Sequence, residues 1–143
     1  IWGDGTTSSS DGQFFPAGGS GEAMNLINTR YGMQAGIKAY THVSDQYAPF
    51  AMKTIPATAH EAPYILDGLT MNDTGKRIKE HYSDTGGFTD HVFAMCALLG
   101  YQFAPRLRNL SSLRLYGMQG ITPTKMMQEL IAARVNLTRI QQQ

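Results

Sequence analysis

The sequence predicts a mixed α/β fold in which helices flank a sheet. Residues 37–45 and 49–55 have strand composition and are joined by a short link at residues 46–48, which indicates an antiparallel hairpin. A helix is indicated by four apolar residues at the spacing of one helix face: Val92, Met95, Cys96 and Leu99. Thr89 is a suitable N-cap for this helix, and Gly100 is a suitable stop. Strand and helix patterns therefore alternate along one chain.

The remaining elements follow from the same patterns. Residues 77–84 alternate in a way that sets Glu80, Tyr82 and Asp84 on one side of a strand. The other predicted elements are a strand at 5–15, a helix at 58–69, strands at 101–108 and 113–118, and a helix from Pro123 to Arg134. This order, with aspartates on the first strand and on the strand after the first helix, is that of the RNase H-like (retroviral integrase-type) fold. We expect residues 1–143 to form an incomplete domain of this type, whose two acidic strands lie side by side.

Composition narrows the classes of function. Residues 1–100 contain 6 basic and 10 acidic residues, whereas residues 101–143 contain 6 basic and 1 acidic. An acidic part that holds cations, followed by a basic part that neutralises a phosphate backbone, suits an enzyme acting on nucleic acid. Cys96 has no partner for a disulfide, the four histidines lack zinc-site spacing, and no apolar stretch is long enough to span a membrane.

Two segments bring aspartate and glycine together at the end of a strand-like stretch: WGDGTTSSSDGQ (2–13) and HYSDTGGFTDHVF (81–93). Asp11 and Asp84 can therefore stand free at a sheet edge. Magnesium prefers hard oxygen ligands and commonly uses one or two protein carboxylates, with substrate phosphate completing its coordination. We interpret these segments as the metal site of a phosphoryl-transfer enzyme. Asp4, which also lies beside glycine, is the alternative first acid.

The same segments, together with YTHVSDQYAPF (40–50), YILDGL (64–69) and the continuation to residue 110, resemble the catalytic domain of the Tn-three family of transposases. The resemblance implies catalytic and metal-binding roles for Asp11 and Asp84, with Mg²⁺ as cofactor and Mn²⁺ as substitute. It also implies that DNA is the partner and that the full-length enzyme self-associates. The implied location is the bacterial cytoplasm, in association with the nucleoid. Its third acid, a glutamate, is expected beyond residue 143, and Glu129 is interpreted as a solvated surface residue.

Arg106, Arg108 and Arg114 are the candidate DNA contacts. Arg106 and Arg108 are two residues apart in a predicted strand and so are expected on one face, although a merely solvated face is an equal reading. The leading hypothesis is a transposase catalytic-domain fragment that is inactive alone. A non-catalytic remnant that binds DNA or full-length transposase is the rival, and a generic RNase H-like nuclease is a weaker third.

Overall fold

A computed structural model describes residues 3–19, 21, 26–71, 73 and 77–142. They divide into two compact units, one ending at Leu107 and one beginning at Arg108. Trp2, at the start of the first acidic segment, lies outside the described residues. The first unit contains Asp11, Asp84 and the predicted hairpin.

The first unit is built on a five-stranded mixed sheet. Its strands are β1 (Thr7–Pro16), β2 (Gly36–Ser44), β3 (Pro49–Pro56), β4 (Glu80–Ser83) and β5 (Gln102–Pro105), and its helices are α1 (Ala62–Thr70) and α2 (Asp90–Leu99). The strand order is β3-β2-β1-β4-β5. β2 is antiparallel to β1 and β3, which confirms the hairpin, whereas β4 is parallel to β1 and β5. The two strands predicted to carry the acids are therefore neighbours.

Helix α2 begins and ends where the sequence predicts. Its N-cap Thr89 accepts a hydrogen bond from the Val92 amide at 3.2 Å, and Gly100 ends the helix with φ +86°, a left-handed conformation that glycine adopts without strain. Val92 and Cys96 of the predicted apolar face are buried, whereas Met95 and Leu99 are 44% and 49% exposed. Burial raises the pKa of the Cys96 thiol to about 11, so this cysteine is an inert core group.

The core lies between the helices and one face of the sheet. Its largest members come from both helices and three strands: Tyr40, Ile55, Ile65, Leu69, Val92, Cys96 and Phe103 among others. A Cβ atom added to Gly68 of α1 would fall on the ring of His42 in β2, so only a glycine lets the helix approach this closely. The alternating burial along β2, from Gly36 to Ser44, sets Tyr40 and His42 on the helix-covered face.

The second unit departs from one sequence prediction. The expected helix from Pro123 to Arg134 is wrong: α3 covers only Lys125–Gln128 and is followed by β7 (Ile131–Arg134), which pairs in parallel with β6 (Leu115–Gly117). The unit ends with α4 (Leu137–Gln141). The backbone of residues 131–134 finds its hydrogen-bond partners in β6, and this pairing overrides the helical pattern. Within the described residues, no helix has the length and apolar character to cross a bilayer.

A buried polar network joins the strands that carry the acids. His81 of β4 hydrogen-bonds through Nδ1 to Ser8 Oγ and through Nε2 to Ser10 Oγ, both at 2.8 Å. Ser10 Oγ also lies 2.8 Å from the Tyr40 hydroxyl, and the His42 ring stacks on His81 at 5.4 Å. Both ring nitrogens of a neutral imidazole are thus satisfied, one as donor and one as acceptor. The network fixes β4 beside β1 immediately before Asp84 and Asp11.

The two buried histidines predict a pH-dependent stability. Burial lowers the pKa of His81 to about 3, with help from His42, and lowers that of His42 to about 4. In the unfolded chain both titrate near 6.5, so below that pH unfolding takes up protons. The free energy of unfolding should therefore fall as pH drops from 7 to 5.5, approaching about 1.4 kcal/mol per pH unit for each histidine once the unfolded chain is protonated. Chemical denaturation at several pH values measures this slope.

The matched comparison is between His81→Gln, which removes one buried titrating group, and His91→Gln, which changes an exposed one. The first variant should lose about half of the slope, and the second should retain it. A flat stability profile in the unmodified chain would show that the histidines are not held neutral by burial.

Candidate metal centre

Three carboxylates meet at one point of the first unit. Asp11 lies on β1, Asp84 directly follows β4, and Glu61 directly precedes α1. Each contributes one oxygen to a group whose members all lie within 4.8 Å of one another. The sequence predicts Asp11 and Asp84 as members of this group but not Glu61, which falls inside the first turn of the helix predicted at 58–69. No spacing signal in the sequence marks Glu61, because its position depends on how α1 packs on the sheet.

Asp84 is oriented by the turn that follows it. It caps the short 3-10 turn Thr85–Gly87, and its Oδ1 accepts hydrogen bonds from the amides of Gly86 at 2.9 Å and Gly87 at 3.3 Å. An aspartate that bonds the backbone two residues on is a standard way to begin such a turn. Oδ1 is thereby fixed, and Oδ2 is the oxygen offered to a further partner.

Asp11 is held on the neighbouring strand. Its Oδ1 accepts a hydrogen bond from the Gly12 amide at 2.8 Å. Although the residue as a whole is exposed, loss of water around the carboxyl raises its pKa, and the nearby charges of Asp84 and Glu61 raise it further. A group of carboxylates that repel one another in this way is stabilised by a cation placed between them.

Glu61 is the buried member of the group. Its Oε1 accepts a hydrogen bond from Lys38 Nζ at 2.9 Å, and the two side chains are only 9% and 5% exposed. Lys38 Nζ also donates to the Ala59 carbonyl at 2.6 Å. The carboxylate lies directly over Gly12, where an added Cβ atom would come within 2.6 Å of Oε1. Glu61 is therefore held from both sides.

This donor set fits a hard divalent cation. Mg²⁺ binds oxygen at about 2.1 Å, so two oxygens on one ion lie roughly 3 to 4 Å apart. The observed separations, within 4.8 Å, exceed this range by about an ångström at most. Carboxylates repel in the absence of a cation and can close by small side-chain rotations. Asp11, Glu61 and Asp84 are the residues that could hold the metal.

Asp4, the alternative first acid, is not in this group. Its Oδ1 accepts hydrogen bonds from the amide and hydroxyl of Thr6, at 3.0 and 2.5 Å, and these bonds lower its pKa. Asp4 precedes β1, whereas Asp84 follows the β4 residue that pairs with Ser10. The register thus sets Asp11 rather than Asp4 level with Asp84. Whether Asp11 and Asp84 are the metal ligands stays a prediction.

The candidate DNA-binding arginines are distributed over both units. The predicted strand at 101–108 is too long, because β5 ends at Pro105, so Arg106 and Arg108 do not share a strand face. Arg106 follows β5 with its amide donating to the Ser83 carbonyl at 2.8 Å, one residue from Asp84. Arg108 and Arg114 belong to the second unit, and all three arginines are exposed.

Comparisons with known proteins give a consistent result. The family model described as Tn3 transposase DDE domain matches residues 1–143. The transposase for transposon Tn501 of Pseudomonas aeruginosa is 49% identical over 139 residues, which are 97% of this chain and 14% of that protein. The transposase for transposon Tn3926 of Escherichia coli is 46% identical over 140 residues, again 97% and 14%. The transposase for transposon Tn1546 of Enterococcus faecium is 38% identical over 135 residues, which are 94% of this chain and 14% of that protein. The chain thus spans about one seventh of these relatives.

The contact between Gly12 and Glu61 predicts that Gly12→Ala damages the carboxylate group. The added methyl would lie 2.6 Å from Glu61 Oε1, and Glu61 cannot move without disturbing its buried bond to Lys38. We expect a loss of about 1–3 kcal/mol in the free energy of unfolding, typical of overpacking, together with weaker Mn²⁺ binding. Gly18→Ala is the control, since nothing lies within 4 Å of a Cβ atom there. Equal Mn²⁺ affinity and stability in both variants would contradict the described packing.

Proposed function

We propose, because the chain belongs to the Tn3 transposase DDE domain family, that Asp11 and Asp84 hold the divalent metal of a DNA transposase active site. Mg²⁺ is the proposed ion, with Mn²⁺ as its substitute. The observation that carries the proposal is the position of the two carboxylates, which neighbouring parallel strands bring to one point. Each has one oxygen fixed by a backbone amide and a second oxygen available to a cation.

The strand arrangement supports an RNase H-like fold for this domain. β2 is the one strand of the five-stranded sheet that runs opposite to the others, and β1 lies at the centre with β4 beside it. β4 and β5 are connected through α2. In an RNase H-like domain, an acid on the central strand and an acid after the adjacent parallel strand form the metal site, and Asp11 and Asp84 have these places.

The proposed role of Asp11 and Asp84 is to position the metal ions. The chemistry that divalent ions supply to such a site, when bound, is activation of the attacking hydroxyl and stabilisation of the leaving oxygen at the scissile phosphate. Asp84 is held in one orientation by the 3-10 turn that it caps, and Asp11 by its own strand. Because both are anchored to a sheet, little conformational freedom has to be lost when the DNA arrives.

DNA is the proposed substrate, and Arg106 is the best-placed of the candidate contacts. Its backbone is bonded to that of Ser83, so its exposed side chain starts near Asp84, where a scissile phosphate would lie. Arg108 and Arg114 are proposed as further phosphate contacts on the second unit. Arginine suits this task because its planar guanidinium can donate two parallel hydrogen bonds to a phosphate.

The activity of the whole protein is also a proposal, since the chain spans about 14% of its relatives. We propose cleavage of DNA at transposon ends to free 3′ hydroxyls, followed by their transfer to target DNA, by a self-associating enzyme working at the nucleoid. The family's third acid, a glutamate, is proposed to come from a part of the transposase after residue 143. The domain described by residues 1–143 is therefore proposed as a partial one.

The metal assignment is tested by titrating this chain with Mn²⁺, with isothermal calorimetry or water-proton relaxation as the measurement. Asp11→Asn and Asp84→Asn should each weaken binding at least tenfold, because a neutral amide replaces an anionic oxygen ligand. Asp4→Asn is the control and should leave the affinity unchanged. If Asp4→Asn alone lost Mn²⁺ affinity, Asp4 and not Asp11 would be the first metal ligand. If Asp84→Asn kept its Mn²⁺ affinity, the proposed metal site would be disproved.

The DNA assignment predicts a strong dependence on salt. Each lysine or arginine that neutralises a phosphate of duplex DNA contributes about 0.9 to the slope of log affinity against log salt. The variant Arg106→Ala/Arg108→Ala should lower the slope of this chain by about 2, as measured by fluorescence anisotropy from 50 to 200 mM salt. Arg77→Ala, an exposed arginine outside the proposed set, is the control. Binding that ignores salt would exclude phosphate contacts by these residues.

A further inference from the structure

We infer that Glu61 is a third carboxylate of the metal site and that Lys38 is the residue that positions it. The inference rests on the proposed function, because it assumes a divalent cation beside Asp11 and Asp84. Glu61 precedes Asp84 in the chain, whereas the resemblance places the family's glutamate after Asp84. Glu61 is therefore an additional acid and not a replacement for that glutamate.

The two oxygens of Glu61 have different surroundings. Oε1 is bound to Lys38 Nζ at 2.9 Å, and no described residue hydrogen-bonds to Oε2. A Cβ atom on Gly86 would lie 3.2 Å from Glu61 Oε2 and 3.1 Å from Asp84 Oδ1, so both carboxylates lie against the same glycine. Glu61 thus presents one oxygen to its lysine and the other to the space beside Asp84.

The same division of oxygens holds for all three acids. Asp11 and Asp84 each have Oδ1 bonded to backbone amides, and Glu61 has Oε1 bonded to an ammonium. In each side chain, one oxygen is therefore held by protein donors and the second oxygen is left for a cation. A carboxylate that served only to neutralise Lys38 would have no need to lie within 4.8 Å of two other carboxylates, which repel it.

A gain in folding stability does not explain why the Lys38–Glu61 ion pair is buried. Two charges lose much of their hydration when they are buried, and apolar residues of similar volume are often as stable or more so. The Lys53–Asp67 ion pair in the same unit loses less hydration, because its side chains are 54% and 37% exposed. A function for Glu61 as an anionic ligand supplies the reason for keeping a charge inside.

The local charge matches one divalent ion. Three carboxylates and the Lys38 ammonium leave two negative charges in the immediate group. Glu61 and Gly86 also border a cavity of about 200 Å³ that Lys38 and Arg30 line as well. The Glu61 carboxylate is therefore open to solvent on this side.

The test is Mn²⁺ titration of this chain at constant pH, with calorimetry as the measurement and circular dichroism to verify folding. Glu61→Gln should weaken the affinity roughly tenfold or more, in the range seen when groups around a metal are removed. Because this variant leaves the Lys38 charge buried without its partner, the decisive variant is Lys38→Met/Glu61→Gln. It removes one charge of each sign, so the net charge of the group is unchanged and no unpaired buried ion remains.

We expect the double variant to weaken Mn²⁺ binding roughly tenfold as well, because a neutral amide replaces the anionic oxygens of Glu61 while the net charge of the group is unchanged. The matched control is Lys53→Met/Asp67→Asn, which neutralises the exposed pair and should leave the affinity unchanged. Unchanged affinity in a folded Lys38→Met/Glu61→Gln chain would overturn the inference. If Asp11→Asn and Asp84→Asn still lose binding in the same titration, the proposed function survives that result; if they retain it, the proposed function fails first.

Discussion

The parallel pairing of β1 with β4 is the constraint on which the rest of the first unit depends. Ser8 pairs with His81 and Ser10 with Ser83, so the residues that follow each strand segment, Asp11 and Asp84, come level. Parallel strands cannot slip by one residue here without turning His81 out of its two bonds to serine hydroxyls. A buried side-chain network therefore secures the backbone register, and the register in turn places the carboxylates.

Close packing against glycine is the second requirement of the site. The carboxylate of Glu61 lies over Gly12, and its other oxygen shares Gly86 with Asp84. A side chain at Gly12 would push Glu61 away from the two aspartates or break its bond to Lys38, and a side chain at Gly86 would press on both Glu61 and Asp84. Gly12, next to Asp11, and Gly86, two residues after Asp84, thus have a packing role in addition to any role in turns: they leave room for the carboxylate of Glu61, which directly precedes α1.

The sequence was informative where a signal is local. Residues 37–45, 49–55 and 90–99 show strand or helix patterns that the structure confirms, because alternation and capping act over a few residues. The helix expected at 123–134 failed because β6 pairs with residues 131–134, a contact that no local pattern reveals. Glu61 was missed for the same reason. Glu61 comes close to the two aspartates because the start of α1 packs against β1 and β2. No residue spacing in a single sequence reveals this packing.

Among the described residues, few positively charged groups contact the three carboxylates, so much of their negative charge is left for a bound cation. His81 lies on β4 and His42 on β2, and burial lowers their pKa values far enough to keep both rings neutral at physiological pH. Lys38 is the charged group in direct contact with the acids, and its ammonium is bound to one oxygen of Glu61 and to the Ala59 carbonyl. The fold thus orders the carboxylates through neutral hydrogen bonds and one fixed charge, which leaves their remaining negative charge for a metal ion.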